Sequence, residues 1–210
     1  MIGIQKYKAH PWHGVSPGDQ APEVVTAFIE IVPGDTVKYE IDKSSGYLKI
    51  DRPQLYSNAV PALYGFIPQT YCGAGIAALA AEKSTMVVEK GDGDPLDICV
   101  LCERPVSHGD ILLRARSIGG LRMIDKGEAD DKIIAVLMDD AAYGNIMDIA
   151  HLPVQLLDRI RHYFLTYKLK PGELQSGVQL AAVYSKEEAF QVIRESLKDY
   201  QELLEKSYHN

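Results

Sequence analysis

The sequence has few cysteines, a deficit of basic residues and no long apolar run. Its three cysteines (Cys72, Cys99 and Cys102) are an odd number, too small for the disulfide framework of a small secreted protein. We find neither a secretory signal nor an apolar run long enough to span a membrane, so we expect a cytoplasmic protein with no membrane partner. The 22 basic and 29 acidic residues give a net charge of −7, which argues against a nonspecific nucleic-acid binder.

The remaining composition is that of a folded chain. With 46% hydrophobic residues in 210 positions, the chain can bury a substantial core. Short apolar and alternating segments predict mostly antiparallel strands, one of them broken at Gly119-Gly120, and later amphipathic segments predict helices. This order indicates an α+β fold with a barrel-like sheet. We expect one domain over residues 1–210, with an N-terminal arm (1–22), an inserted loop (72–90) and a C-terminal helix (185–208).

The most informative segment is an acidic turn followed by an apolar strand: Gly91-Asp92-Gly93-Asp94-Pro95-Leu96-Asp97. Gly93 permits a tight turn and Pro95 restricts the backbone around it, so the three carboxylates can converge. Converging carboxylates either share a proton or hold a cation, and oxygen ligands alone favour Mg²⁺, Mn²⁺ or Ca²⁺ over Zn²⁺. A solvated turn is the alternative interpretation. An EF-hand loop is excluded because Asp97 stands where that loop requires glycine.

The patterns of three further segments do not by themselves assign a function. Glu30 lies between two isoleucines in a predicted strand, where it is either an edge residue facing solvent or a site residue facing a cavity. The next strand alternates cleanly, and its polar face, which includes Lys38 and Glu40, is typical of a solvated surface. The sequence also leaves open whether residues 72–90 form a short helix, a lid or a disordered insert.

The acidic turn resembles the D-x-D-P-x-D signature of the family I soluble inorganic pyrophosphatases. The resemblance extends in the same order and spacing over roughly residues 25–170, through Ile29-Glu30-Ile31, Val37 to Asp42, Asp51-Arg52, Tyr64-Gly65, Asp125 to Lys132, His162-Tyr163-Phe164 and Tyr167-Lys168. It implies an OB-like five-stranded antiparallel β-barrel with flanking α-helices. It also implies hydrolysis of pyrophosphate to two orthophosphates, by a metal-activated water in a site with several Mg²⁺ ions.

The resemblance implies a role for each matching residue. Asp94 would be the general base, and Tyr64 would lie close to the nucleophile. The phosphate ligands would be Lys38, Arg52, Lys132, Tyr167 and Lys168. The metal ligands would be Asp92, Asp97, Asp125 and Asp130, with Glu30 and Glu40 near the metals. Glu30 and the polar face of its neighbouring strand would then face the site.

The resemblance also implies the partners of the protein. These are Mg²⁺, with Mn²⁺ or Zn²⁺ able to substitute and Ca²⁺ inhibitory, and pyrophosphate as the substrate. The protein would be a homo-oligomer, either a dimer or a hexamer. Three features depart from compact bacterial members: Val60 replaces a tyrosine, residues 72–90 are longer, and the arm His10-Pro11-Trp12-His13 is similar to eukaryotic and chlamydial members.

Two other functions compete with this one. A phosphohydrolase for a nucleotide or polyphosphate would fit if residues 72–90 reshape the pocket. A noncatalytic OB-fold module that binds oligonucleotides would fit the fold. The negative charge and the complete set of Asp and Lys residues argue against the second alternative.

Overall fold

The computed structural model describes residues 8–174 and 176–208. The first seven residues of the predicted N-terminal arm lie outside these ranges. The helices are α1 (Ala74–Glu82), α2 (Val154–Thr166), α3 (Lys186–Tyr208) and a 3₁₀ turn (Ile149–His151). The strands are β1 (Val24–Ile31), β2 (Val37–Ile41), β3 (Leu48–Pro53), β4 (Leu63–Phe66), β5 (Lys90–Gly91), β6 (Asp97–Leu101), β7 (Ile111–Asp125), β8 (Glu128–Ala129), β9 (Lys132–Leu137) and β10 (Val178–Ser185).

Five strands close into a barrel in the order β1-β4-β6-β9-β7, and β7 pairs again with β1. The predicted α+β fold with a five-stranded barrel is therefore confirmed. One pairing differs from the antiparallel expectation, because β6 and β9 run parallel. The reason is geometric: directions cannot alternate all the way round a closed ring with an odd number of strands. The parallel pair sets Asp97 beside Lys132.

Strand β7 is continuous through the glycine pair that was expected to break it. The pair is needed because neighbouring groups approach its backbone closely. A Cβ on Gly119 would lie 2.6 Å from Ile149, and one on Gly120 would lie 2.4 Å from the ring of Tyr184. These glycines therefore permit close packing within a strand. The register of β7 against β9 shifts here, between Ser117 and Gly119.

Strands β2 and β3 form a separate two-stranded hairpin beside the barrel. The backbone N–H of Ile41 in β2 donates a 2.6 Å hydrogen bond to the carboxylate of Glu30 in β1. The N-terminal arm contacts the hairpin at its turn, where Nε2 of His10 lies 3.1 Å from a backbone carbonyl oxygen. The arm itself is anchored by the buried Trp12, whose indole N–H donates to the carbonyl of Thr70 at 2.8 Å. The turn end of the hairpin is thus held by the barrel and by the N-terminal arm.

Part of the segment 72–90 is a helix, α1, which the C-terminal helix holds in place. The buried carboxylate of Asp199 in α3 accepts hydrogen bonds from the backbone N–H groups of Gly73, Gly75 and Ile76 at 2.9–3.0 Å. A carboxylate at this position satisfies the free N–H groups of the first helical turn. In the ranges 8–174 and 176–208, none of the helices has the length and apolar character needed to cross a membrane.

Candidate active site

A cavity of about 210 Å³ lies where the barrel, the hairpin and α2 meet. Every predicted site residue except Arg52 lines it. We call one side the barrel wall, which consists of Tyr64, Asp97, Asp130 and Lys132. We call the opposite side the hairpin wall, which consists of Lys38, Glu40 and Lys43. The acidic turn lies between the two walls.

The acidic turn is shaped by its glycine and by bonds to the start of segment 72–90. Gly93 has a φ of 76°, in the left-handed region that glycine adopts without strain. The backbone N–H of Asp94 donates to the carboxylate of Asp92 at 2.9 Å. Cys72 bonds the turn twice, donating to the carbonyl of Asp94 at 2.8 Å and accepting from Gly93 at 3.1 Å. The turn therefore holds Asp92 and Asp94 at the cavity while Asp97 begins β6.

Lys132 is the centre of the barrel wall. Its ammonium contacts the carboxylates of both Asp97 and Asp130, and its side chain is 4% exposed. Burial alone would lower the pKa of Lys132, but Asp130 and Asp97 more than offset it and raise this pKa well above the usual value. The hydroxyl of Tyr64 donates to the same Asp97 oxygen as Lys132. This wall is a preformed charge network in which the lysine is buried and its two carboxylates are largely buried.

The carboxylates around this network repel one another. Burial, followed by the nearby charge of Asp130, raises the pKa of Asp92 to about 9. Burial also raises the pKa of Asp130, although Lys132 opposes that effect. A site that makes ionisation this costly attracts additional positive charge.

Glu30 faces the cavity because of a β-bulge. The register of β1 against β4 shifts between Ile29 and Ile31, which leaves Glu30 as the extra residue. Bulges redirect side chains and are frequent beside active sites. Glu30 is 6% exposed, and burial raises its pKa to about 8 despite the hydrogen bond from Ile41. Of the two interpretations that its sequence left open, the structure therefore supports the cavity-facing one.

The hairpin wall carries a looser set of charges. The ammonium of Lys38 lies 3.1 Å from the carboxylate of Glu40 and 3.2 Å from that of Asp51, and its side chain is 27% exposed. The guanidinium of Arg52 also contacts Asp51. Arg52 does not line the cavity, so the structure leaves this predicted phosphate ligand outside it.

The third side of the cavity is formed by the end of β7 and the end of α2. Lys168 donates to one carboxylate oxygen of Asp125 at 2.6 Å. The other oxygen, Oδ1, is buried and has no hydrogen-bond partner among residues 8–174 and 176–208. Tyr167 stacks on Tyr163, with 5.2 Å between ring centroids, and the ammonium of Lys168 lies 5.2 Å from the ring of Tyr167.

The donor set fits a hard divalent cation. The acidic groups that line the cavity offer oxygen ligands alone, and one buried oxygen of Asp125 has no partner among the described residues. In the part of the chain that the structure describes, no group of three or more acidic, His or Cys side chains is already arranged around one metal position. Lys132 instead supplies positive charge between Asp97 and Asp130. Binding of a cation would therefore rearrange the contacts of these carboxylates.

Sequence reasoning missed three polar residues among the described ones that line the cavity: Lys43, Glu128 and Tyr163. Glu128 belongs to the charged segment 125–132, but that segment alone does not tell which of its carboxylates face inwards. Lys43 lies just after the alternating strand β2, where periodicity no longer assigns a face. Val60, the departure noted in the sequence, is buried and lines a different cavity.

Comparison with known proteins gives a consistent result. The sequence profile of the family described as inorganic pyrophosphatase matches residues 27–201. The inorganic pyrophosphatase of Chlamydia trachomatis serovar D is 51% identical over 196 residues, which are 91% of this chain and 94% of the relative. A soluble inorganic pyrophosphatase of Solanum tuberosum is 47% identical over 168 residues, 80% of this chain and 70% of the relative. The crystal structure of the inorganic pyrophosphatase from Thermus thermophilus is 31% identical, with a TM-score of 0.74, and the match covers 92% of this chain and 99% of that one.

Proposed function

This chain belongs to the family I inorganic pyrophosphatases, which are metal-dependent enzymes that hydrolyse pyrophosphate to two orthophosphates, and we propose that its cavity performs this reaction with Mg²⁺. The observation that carries the proposal is the buried Asp97–Lys132–Asp130 network beside Asp92. Such a network offers oxygen ligands to cations and an ammonium to an anionic substrate. The small cavity, which residues 72–90 do not line, suits a small substrate better than a nucleotide.

We propose that Asp92, Asp97, Asp125 and Asp130 hold the metal ions, with Glu30 and Glu40 nearby. When bound, Mg²⁺ neutralises part of the substrate charge and lowers the pKa of water. Asp94 takes the proton of the attacking water as the general base. Tyr64 orients Asp97 through its hydrogen bond. Lys38, Arg52, Lys132, Tyr167 and Lys168 bind phosphate oxygens and stabilise the charge of the leaving phosphate.

The first test is phosphate release from pyrophosphate before and after removal of divalent metal with EDTA. We expect no activity without metal, recovery with Mg²⁺, partial replacement by Mn²⁺ or Zn²⁺, and inhibition by Ca²⁺. Mg²⁺ keeps a tight octahedron, whereas the larger Ca²⁺ takes looser and higher coordination. Full activity after exhaustive EDTA dialysis would contradict the proposal.

The second test separates the roles of two neighbouring carboxylates. Asp94→Asn is expected to retain most of its Mg²⁺ affinity but to lose roughly 10²–10⁴-fold in kcat at saturating Mg²⁺, as for loss of a general base. Asp97→Asn is expected to bind Mg²⁺ more weakly and to regain part of its activity when Mg²⁺ is added. Mg²⁺ titration by calorimetry beside steady-state kinetics distinguishes them. Rescue of Asp94→Asn but not of Asp97→Asn would reverse the assignment.

We further propose a cytoplasmic homo-oligomer, either a dimer or a hexamer, built from one domain over residues 1–210. The three free cysteines support a reducing compartment. Light scattering coupled to gel filtration distinguishes a monomer, a dimer and a hexamer, and limited proteolysis tests the domain limits.

A further inference from the structure

Among the described residues, four lysines line the cavity, and each contacts a carboxylate. Lys38 contacts Glu40 and Asp51, Lys132 contacts Asp97 and Asp130, Lys168 contacts Asp125, and Lys43 contacts Asp94. The family resemblance assigns the first three to phosphate binding and does not include Lys43. The fourth lysine thus has the same kind of partner, a carboxylate, as the three lysines assigned to phosphate binding, but it has no assigned role.

Lys43 reaches the cavity from the turn between β2 and β3. Its ammonium contacts the carboxylate of Asp94 and donates to the carbonyl of Gly93 at 3.2 Å. Its side chain is 47% exposed, close to the 38% of Lys168. Burial by itself would lower the pKa of Lys43, but Asp94 more than offsets this and raises it. The ammonium of Lys43 is therefore a cation at neutral pH, and its half-exposed side chain can change conformation.

The backbone of Lys43 is fixed by the N-terminal arm. The Nε2 atom of His10 lies within hydrogen-bond distance, 3.1 Å, of the carbonyl oxygen of Lys43. The ring of Trp12 lies 6.0 Å from the ammonium of Lys43, and Trp12 is anchored by its bond to Thr70. Because the backbone is held, the ammonium can change partners without moving the hairpin.

We propose that Lys43 is a further ligand for pyrophosphate, and that its ammonium rests on Asp94 only while substrate is absent. The proposal rests on the proposed function, in which Asp94 is the general base. An ammonium held on a carboxylate makes that carboxylate a weaker base, so release of Lys43 would favour proton transfer from water to Asp94. Pyrophosphate carries several negative charges, and the long lysine side chain can turn from Asp94 to bind it. Substrate entry would then bind the lysine and free the base together.

The test compares Lys43→Met with Lys49→Met. Lys49 lies on the same hairpin and is 50% exposed, but it faces Asp42 at 3.7 Å and does not line the cavity. The probe is imidodiphosphate, a pyrophosphate analogue that resists hydrolysis, and its binding is measured by calorimetry with Mg²⁺ present. Loss of a hydrogen bond from a charged group should weaken binding by Lys43→Met roughly tenfold to a hundredfold. Lys49→Met should bind as the wild type does, and Lys43→Arg should retain part of the affinity.

A double-mutant cycle with Asp94→Asn separates substrate contact from an effect through the base. If Lys43 binds the substrate, Lys43→Met weakens imidodiphosphate binding in the Asp94→Asn background as well. If Lys43 acts only through Asp94, the second substitution has no further effect, and the proposal is wrong. An increase in kcat of Lys43→Met with unchanged analogue binding would also overturn it. Wild-type protein that releases no phosphate from pyrophosphate would refute the proposed function itself, which is a separate outcome.

Discussion

The barrel wall and the hairpin wall carry similar charge pairs in different surroundings. The side chain of Lys132 is 4% exposed between two carboxylates, whereas that of Lys38 is 27% exposed beside its own two. Attraction between opposite charges strengthens as water is excluded, and so does the cost of leaving one charge unpaired. The barrel wall is therefore fixed before any ligand binds, while the charges of the hairpin wall can exchange partners at little cost. This difference suits the barrel wall to hold its groups in place and the hairpin wall to adjust to an incoming substrate.

Removal of the central lysine should have the largest effect on both stability and activity. Lys132→Met leaves the largely buried carboxylates of Asp97 and Asp130 without their shared cation. We expect the metal-free protein to lose about 3–5 kcal/mol of unfolding free energy, as when one partner of a buried pair is removed. We also expect kcat to fall by roughly 10²–10³-fold, as for loss of one electrostatic stabiliser. Urea denaturation and phosphate release measure the two effects.

The matched variant in the hairpin wall is Lys38→Met. Its stability should stay within about 1 kcal/mol of wild type, because partly exposed ion pairs contribute little. Its loss of activity should appear mainly in KM, since we propose that Lys38 binds substrate. Equal losses of stability for Lys38→Met and Lys132→Met would contradict the distinction between the two walls.

The parts of the site that could be predicted are those fixed by short-range spacing. Asp92, Asp94 and Asp97 fall within six residues around a glycine and a proline, so any compact turn brings them together. Lys132 could be placed only through the family resemblance, because its position beside Asp97 depends on the parallel pairing of β6 and β9. Alternation in single strands carries no information about which strands become neighbours.

Other features depend on contacts that are distant in sequence. Glu30 faces the cavity because of a bulge, and a bulge reverses the side that simple alternation assigns. The glycine pair in β7 looked like a strand break because the approach of Tyr184 cannot be read from neighbouring residues. Helix α1 is weakly amphipathic and is capped by Asp199, which lies more than a hundred residues later. Sequence patterns alone could therefore not have predicted the structure of residues 72–90.

A substitution at Arg52 tests whether phosphate binding extends beyond the residues of the hairpin wall. Its guanidinium contacts Asp51 outside the cavity, so it can bind phosphate only if it changes partner. Arg52→Lys should lower kcat/KM roughly tenfold, because a planar two-pronged donor becomes a point charge. The control is Arg104→Lys, an exposed arginine that also pairs with its sequence neighbour, at 3.3 Å from Glu103. Wild-type kinetics for Arg52→Lys would remove Arg52 from the site.

The smallest effect on catalysis is expected in a region that belongs to neither wall. Asp140 follows β9, and its carboxylate accepts backbone hydrogen bonds from Glu103, Ala142 and Tyr143 at 2.8–3.0 Å. Slight burial alone would raise the pKa of Asp140, but these hydrogen bonds outweigh the effect of burial and lower the pKa. Asp140→Ala should therefore lose about 1–2 kcal/mol of unfolding free energy at pH 7, with kcat and KM unchanged.

The pH dependence of that loss follows from the direction of the pKa shift. A carboxyl group with a lowered pKa in the folded state stabilises the protein fully above the unfolded pKa of about 3.9. This stabilisation disappears as the pH falls through the lower folded value. The gap between wild type and Asp140→Ala should thus be constant from pH 7 to about 5 and should shrink below about 4. The control is Asp158→Ala, which removes an exposed helical ion pair with Arg161 at 3.0 Å. A stability gap between wild type and Asp140→Ala that widens in acid would contradict the assignment.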